Sequence, residues 1–106
     1  MIKILITRKE DIIIRVEVKG HAGYAEYGKD IVCSAVSGIV QTVGASLDLM
    51  QKDLTTQKEG YVMIDVTNID DKYMHDAQVL LDALVLGCDN IRKQYPKNIK
   101  MEEKVL

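Results

Sequence analysis

Apolar and polar positions alternate along "IIIRVEVK", with Ile12, Ile14, Val16 and Val18 on one face, and the preceding residues from Ile2 to Thr7 are apolar and β-branched. A period of two marks a half-buried strand, so these segments predict a hairpin with "RKED" as its turn and Gly20 at its end. The period then changes. Val32, Val36, Ile39, Val43, Leu47 and Met50 fall at spacings of three and four, which predicts a helix capped by Asp30 and ending near Lys52. "LTTQKEGYVMIDVT" returns to alternation at Val62, Ile64 and Val66 and predicts a second hairpin around Lys58 to Gly60. After "NIDD", helical spacing resumes at Met74, Ala77, Leu81, Leu84, Cys88, Ile91 and Tyr95 until Pro96 stops it. "NIKMEEKVL" adds a last edge strand through Ile99 and Met101. The order β-β-α-β-β-α-β has no βαβ regularity. The expectation is therefore an α+β fold, one domain over residues 1–106, with two helices packed on one face of a mainly antiparallel sheet.

Composition narrows the function classes. A chain of 106 residues buries one core, and 47% hydrophobic with 28% charged residues is the balance of a globular protein that folds unaided. A net charge of -2 gives no basic footprint, so direct nucleic-acid binding is not expected, whereas a protein or ribosomal partner stays open. "MIKILITRKE" turns charged too early for a secretory signal, and no apolar run reaches the roughly 20 residues of a membrane span. A cytoplasmic protein with no membrane contact is the expectation. Two cysteines, Cys33 and Cys88, are too few for a disulfide scaffold.

Both predicted helices carry more apolar or small surface than one buried stripe needs. The second is apolar on nearly every side from Val79 to Leu86, broken only by Asp82, and the first has Ser34, Gly38 and Ala45 on another face. This surplus predicts a homodimer. The alternative is that the two helices bury these faces against each other.

The candidate chemistry lies in "GHAGYAEYGKDIVCSAVSGIVQT". With Asp30 as the cap, Cys33 is in the first helical turn, where unpaired N–H groups and the helix dipole favour an anion. A helix amino terminus and a neighbouring imidazolium both lower a thiol pKa from its free value of about 8.5, and the thiolate is the reactive form. The eleven residues between His21 and Cys33 are loop-like, and Gly23 and Gly28 permit turns that fold the imidazole back over the thiol. Such a histidine acts as general base and then general acid. Asp30 either orients it or serves only as the cap. The N–H groups of Cys33 and Ser34 are candidate oxyanion donors, as the first turn leaves them unpaired. The loop from Gly20 to Lys29, with Gly20, Gly23, Tyr24, Tyr27 and Gly28, is a candidate substrate gate. Against these readings, cysteine is commonly a small buried hydrophobe and a histidine at a strand end is commonly a surface residue. Cys88 shows that packing role on the Leu81, Leu84, Ile91 stripe, and His75, among Asp70, Asp71 and Asp76, is assigned to a solvated polar turn. No metal or cofactor is expected, since His21, Cys33, His75 and Cys88 contain no pair at ligand spacing.

The same stretch resembles the signature of the ribosomal-processing cysteine protease family: a Gly-His-Ala segment, a short glycine-containing loop, then Gly-x-Asp-Ile-Val-Cys followed by Ala-Val-Ser. The similarity extends to "YPKNIKMEE" near the carboxyl end, and Ser34 stands where alanine is usual. The resemblance implies that Cys33 is the nucleophile and His21 its partner, with Asp30 and Ser37 in or near the site. It also implies a dimeric α+β fold that removes a short amino-terminal extension from a large-subunit ribosomal protein, cutting after an apolar or aromatic pair. The contrasting reading is a non-catalytic ribosome-assembly adaptor, in which the loop binds a partner and the cysteine is incidental. A redox-sensing thiol protein is disfavoured by the lack of a resolving cysteine.

Overall fold

The computed structural model describes residues 1–26 and 29–106. In chain order these form β1 (Ile2–Lys9), β2 (Ile12–Lys19), α1 (Ile31–Met50), β3 (Thr55–Lys58), β4 (Tyr61–Asp65), α2 (Asp71–Gln94) and β5 (Ile99–Val105). The strands make one sheet in the order β3-β4-β2-β1-β5. Three pairings are antiparallel, and β1 with β5 is parallel from Ile2↔Ile99 to Arg8↔Val105, so the sheet is mixed. Both helices cover one face: Ile2, Ile4, Ile6, Val16, Ile64 and Ile99 of the strands join Val36, Val40 and Leu47 of α1 and Ala77, Leu81 and Leu84 of α2 in one core.

Local chemistry accounts for the elements. Glu10 and Asp11 sit at φ +52° and +66°, the positive values at both central positions that a two-residue type I′ turn requires. The turn is thus shorter than "RKED", and β1 runs on through Lys9. Pro96 ends α2, whose cap is Tyr95, and Asp70 accepts from Lys72 N–H at its start.

One strand departs from the alternation. A bulge between Thr7 and Arg8 shifts the register of β2, so that Thr7 faces Arg15 while Arg8 faces Ile13. Ile13, rather than Ile12 or Ile14, then joins Val16 in the main core. A bulge adds one residue and reverses the faces beyond it. Gln78 of α2 stabilises the displaced segment, accepting from Ile13 N–H and donating to Ile13 C=O, both at 2.8 Å.

α1 itself is 20 residues long with a mean hydropathy of 1.4, so one apolar run does reach the length of a span. Its stripe of Val32, Val36, Val40, Val43 and Leu47 is buried in the core. The helices approach where a Cβ on Gly87 would lie 3.0 Å from Ile39 Cδ1, so part of their surplus surface is mutually buried. Ser34, Gly38 and Ala45 remain exposed, as do Val79 at 56% and Leu86 at 65%.

Candidate active site

β2 ends at Lys19, and the chain must turn sharply to bring His21 back toward α1. Gly20 makes that turn at φ +87°, and a Cβ there would stand 2.6 Å from the Met1 carbonyl oxygen. Its N–H donates to Gly60 O in the β3–β4 turn at 2.9 Å. The same turn lies beside the imidazole, since a Cβ on Gly60 would be 3.9 Å from His21 Nε2.

Asp30 ties the loop to α1. Its Oδ1 accepts from Val32 and Cys33 N–H at 3.0 Å, and its Oδ2 from Tyr24 N–H at 3.0 Å and Ala25 N–H at 3.3 Å. Burial works to raise its carboxyl pKa, but the hydrogen bonds from Cys33, Ala25, Tyr24 and Val32 outweigh it and hold the group below the usual carboxylate range. Of the two roles considered for Asp30, these bonds are those of a cap and loop clamp.

The same cap corrects the oxyanion assignment. Cys33 N–H is taken by Asp30 Oδ1 and Ser34 N–H by the Asp30 backbone oxygen at 3.0 Å. An N-cap aspartate and the first intrahelical bond engage the donors that a bare helix start would leave open. The donor that does reach the sulfur is Ala22 N–H, 3.1 Å from Cys33 Sγ. It went unread in the sequence, because a backbone amide carries no residue-type signal.

Two open clefts meet at the candidate pair. One, of about 480 Å³, runs between α1 and the β3–β4 hairpin over a floor that includes Val18, Val36, Val40 and Val62. The other, of about 500 Å³, lies along the loop past Gly23, Ala25, Asp30 and Ser34. His21, Cys33 and Ser37 line both. Ser37 sits one turn beyond Cys33, and its Oγ accepts from Gln41 Nε2 at 2.8 Å, which leaves its hydroxyl proton for donation into the cleft. The structure therefore brings His21, Cys33, Ser37 and Asp30 together.

The other loop residues divide. Gly23, at φ +70°, borders the second cleft. Tyr24 instead packs edge-on against Tyr95, the cap residue that follows α2, with ring centroids 5.3 Å apart. Tyr27 and Gly28 lie outside the described residues. Bonds at Gly20, Ala22, Tyr24 and Ala25 tie the first half of the loop to the β3–β4 turn and to the start of α1. Cys88 is wholly buried in α2, where burial pushes its thiol up to about 11, and His75 is exposed near the start of that helix.

The chain as a whole has counterparts among known proteins. Residues 1–100 match the profile of the family described as cysteine protease Prp. The chain belongs to that family of cysteine proteases. Over their whole lengths, it is 27% identical to the ribosomal processing cysteine protease Prp of Bacillus subtilis. The Prp of Staphylococcus aureus is 30% identical, over 98% of this chain and all of that one. A Streptococcus mutans protein of known crystal structure superposes with a TM-score of 0.82 at 32% identity, covering 100% of this chain and 96% of that one. The S. aureus Prp, crystallised with a covalently linked product peptide, also reaches 0.82, at 26% identity over 98% of this chain and 100% of its own. The α+β fold read from the hydropathy pattern is thus the Prp fold, and the chain is a hydrolase of peptide bonds.

Proposed function

We propose that this chain removes a short amino-terminal extension from a large-subunit ribosomal protein, cutting after an apolar or aromatic pair, with Cys33 as nucleophile and His21 as its general base and acid. The observation that carries the reading is the placing of Cys33 in the first turn of α1, with Ala22 N–H on its sulfur at 3.1 Å and His21 on the walls of the same two clefts. A helix amino terminus and an amide N–H both favour a negative sulfur. The names of the Prp relatives support the substrate class.

The chemistry follows from these atoms. His21 takes the Cys33 proton, and the sulfur attacks the scissile carbonyl carbon. The tetrahedral adduct collapses to a thioester on Cys33 as His21 protonates the leaving amine. Water, deprotonated by His21, then attacks the thioester, releases the carboxylate product and restores the thiol. The apolar floor of Val36, Val40 and Val62 suits the side chains of an aromatic pair, and the hydrogen-bonded segment that begins at Gly20 borders the imidazole's end of the cleft. Both cysteines are free thiols, the state the reaction needs and one that suits a cytoplasmic enzyme.

The test is intact-mass analysis of the host ribosomal protein, extension included, after incubation with the purified enzyme. One product pair, cut after an apolar or aromatic pair near the amino terminus, is expected. An uncut protein, or cuts at unrelated sites, would reject the substrate assignment.

We further propose that the enzyme works as a homodimer, joined through exposed helical surface such as Leu49, 90% accessible, and the small residues Ser34, Gly38 and Ala45. Sedimentation at micromolar concentration is expected to give twice the chain mass. A monomer would refute it.

A further inference from the structure

The turn between α2 and β5 reaches across the molecule to the loop that carries His21. Within it, Asn98 is tied at both ends: its N–H donates to Tyr95 O at 3.0 Å, and its C=O accepts from Ile2 N–H at 2.9 Å. The side chain therefore departs from a fixed base, and Nδ2 donates to Ala22 O at 3.0 Å. Ala22 is 2% exposed, with its methyl in the core. Its N–H is the group that donates to Cys33 Sγ.

Ala22 is thus held at its carbonyl by Asn98 and at its methyl by the core, and what those two constraints aim is its N–H. The contact between Tyr95 and Tyr24 is a second tie between the same turn and the same loop. We infer that Asn98 is a positioning residue for the nucleophile, aiming the Ala22 N–H at the Cys33 sulfur. This rests on the assignment of Cys33 as nucleophile made above. An amide suits the task because it gives a neutral donor to a carbonyl in a half-buried place. Aspartate, of the same shape, presents only acceptors at neutral pH, and alanine presents nothing.

The test compares wild type, N98A and N98D in steady-state cleavage of the extension peptide, in iodoacetamide labelling of Cys33 and in thermal melting. Loss of one aimed hydrogen bond is expected to lower kcat about tenfold in N98A, with KM within about twofold, since the bond acts on the sulfur and not on the peptide. N98D should fall at least as far despite its matching shape. Labelling of Cys33 should slow in parallel in both variants, a readout that needs no peptide and that a purely structural role would leave unchanged in folded protein. Wild-type kcat and labelling in the folded variants would overturn the inference. So would a rise in KM alone, or failure of both variants to fold at the assay temperature, which would make Asn98 a stability element only. C33A separates the two assignments: if it is inactive while the Asn98 variants behave as wild type, only the present inference falls, whereas a C33A protein that cleaves normally removes the nucleophile itself.

Discussion

Cys33→Ala is expected to give a folded protein that does not cleave the extension peptide, with the rate down by about 10⁴-fold or more. The fold survives because Cys33 is only partly buried and lines an open cleft, and because the alanine that replaces it favours a helix, while only the single bond from Ala22 N–H is lost with the sulfur. His21→Ala should lose about 10³-fold or more, and the double variant hardly more than C33A alone, since a nucleophile and its base act as one unit. Cleavage assays on all three proteins, with melting curves, check this. A folded C33A protein that cuts at the wild-type rate would discard the Cys33 mechanism.

Gly20→Ala is expected to damage both stability and turnover, although it adds a single methyl. The residue lies at φ +87°, where an L side chain is strained, and the added carbon would meet the Met1 carbonyl oxygen at 2.6 Å, a backbone atom that cannot swing aside. Together these cost about 2–4 kcal/mol, or a fall of roughly 10–20 °C in Tm. Relief of the clash also moves the next residue, His21, and strains the bond from Gly20 N–H to Gly60 O. Cleavage measured well below the lowered Tm should therefore remain depressed. A variant with wild-type Tm and rate would show that the turn is not constrained in this way.

Much of this was legible from the chain. The periods of two and of 3.6 located β1, β2, β4, β5 and both helices, because each sends one face or stripe into a single core, whereas β3, with no residue in that core, was readable only as the other arm of the hairpin that holds β4. Asp30 was readable as the cap, since its role is local, set by amides two and three residues on. What the pattern missed depends on partners distant in sequence. The bulge that brings Ile13 into the core is stabilised by Gln78, 65 residues away, and nothing within "IIIRVEVK" marks it. The parallel pairing of β5 with β1 has no local signal either, because strand direction is set by the path of the whole chain. In the site, histidine and cysteine were legible as candidate residue types, and the structure sets His21 and Cys33 on the same two clefts. The donors around them were not legible: the cap engages the N–H groups of Cys33 and Ser34, and the bond from Asn98 to Ala22 spans 76 residues.

That span sets the order in which the enzyme can be completed. β1, β2 and α1 carry His21 and Cys33, and they leave the ribosome first, but β1 gains its second neighbour only when β5 arrives. Contacts of high sequence separation form late, because the closure entropy of the loop must be offset before they contribute. The Ala22 carbonyl accordingly waits for Asn98, and the nascent chain holds His21 and Cys33 without their finished surroundings until the last strand docks. A chain interrupted before Asn98 keeps the Asp30 bonds to Tyr24 and Ala25 but lacks the one that holds the Ala22 carbonyl, so on the proposed roles the setting of the Cys33 sulfur is finished only with the last turn and strand.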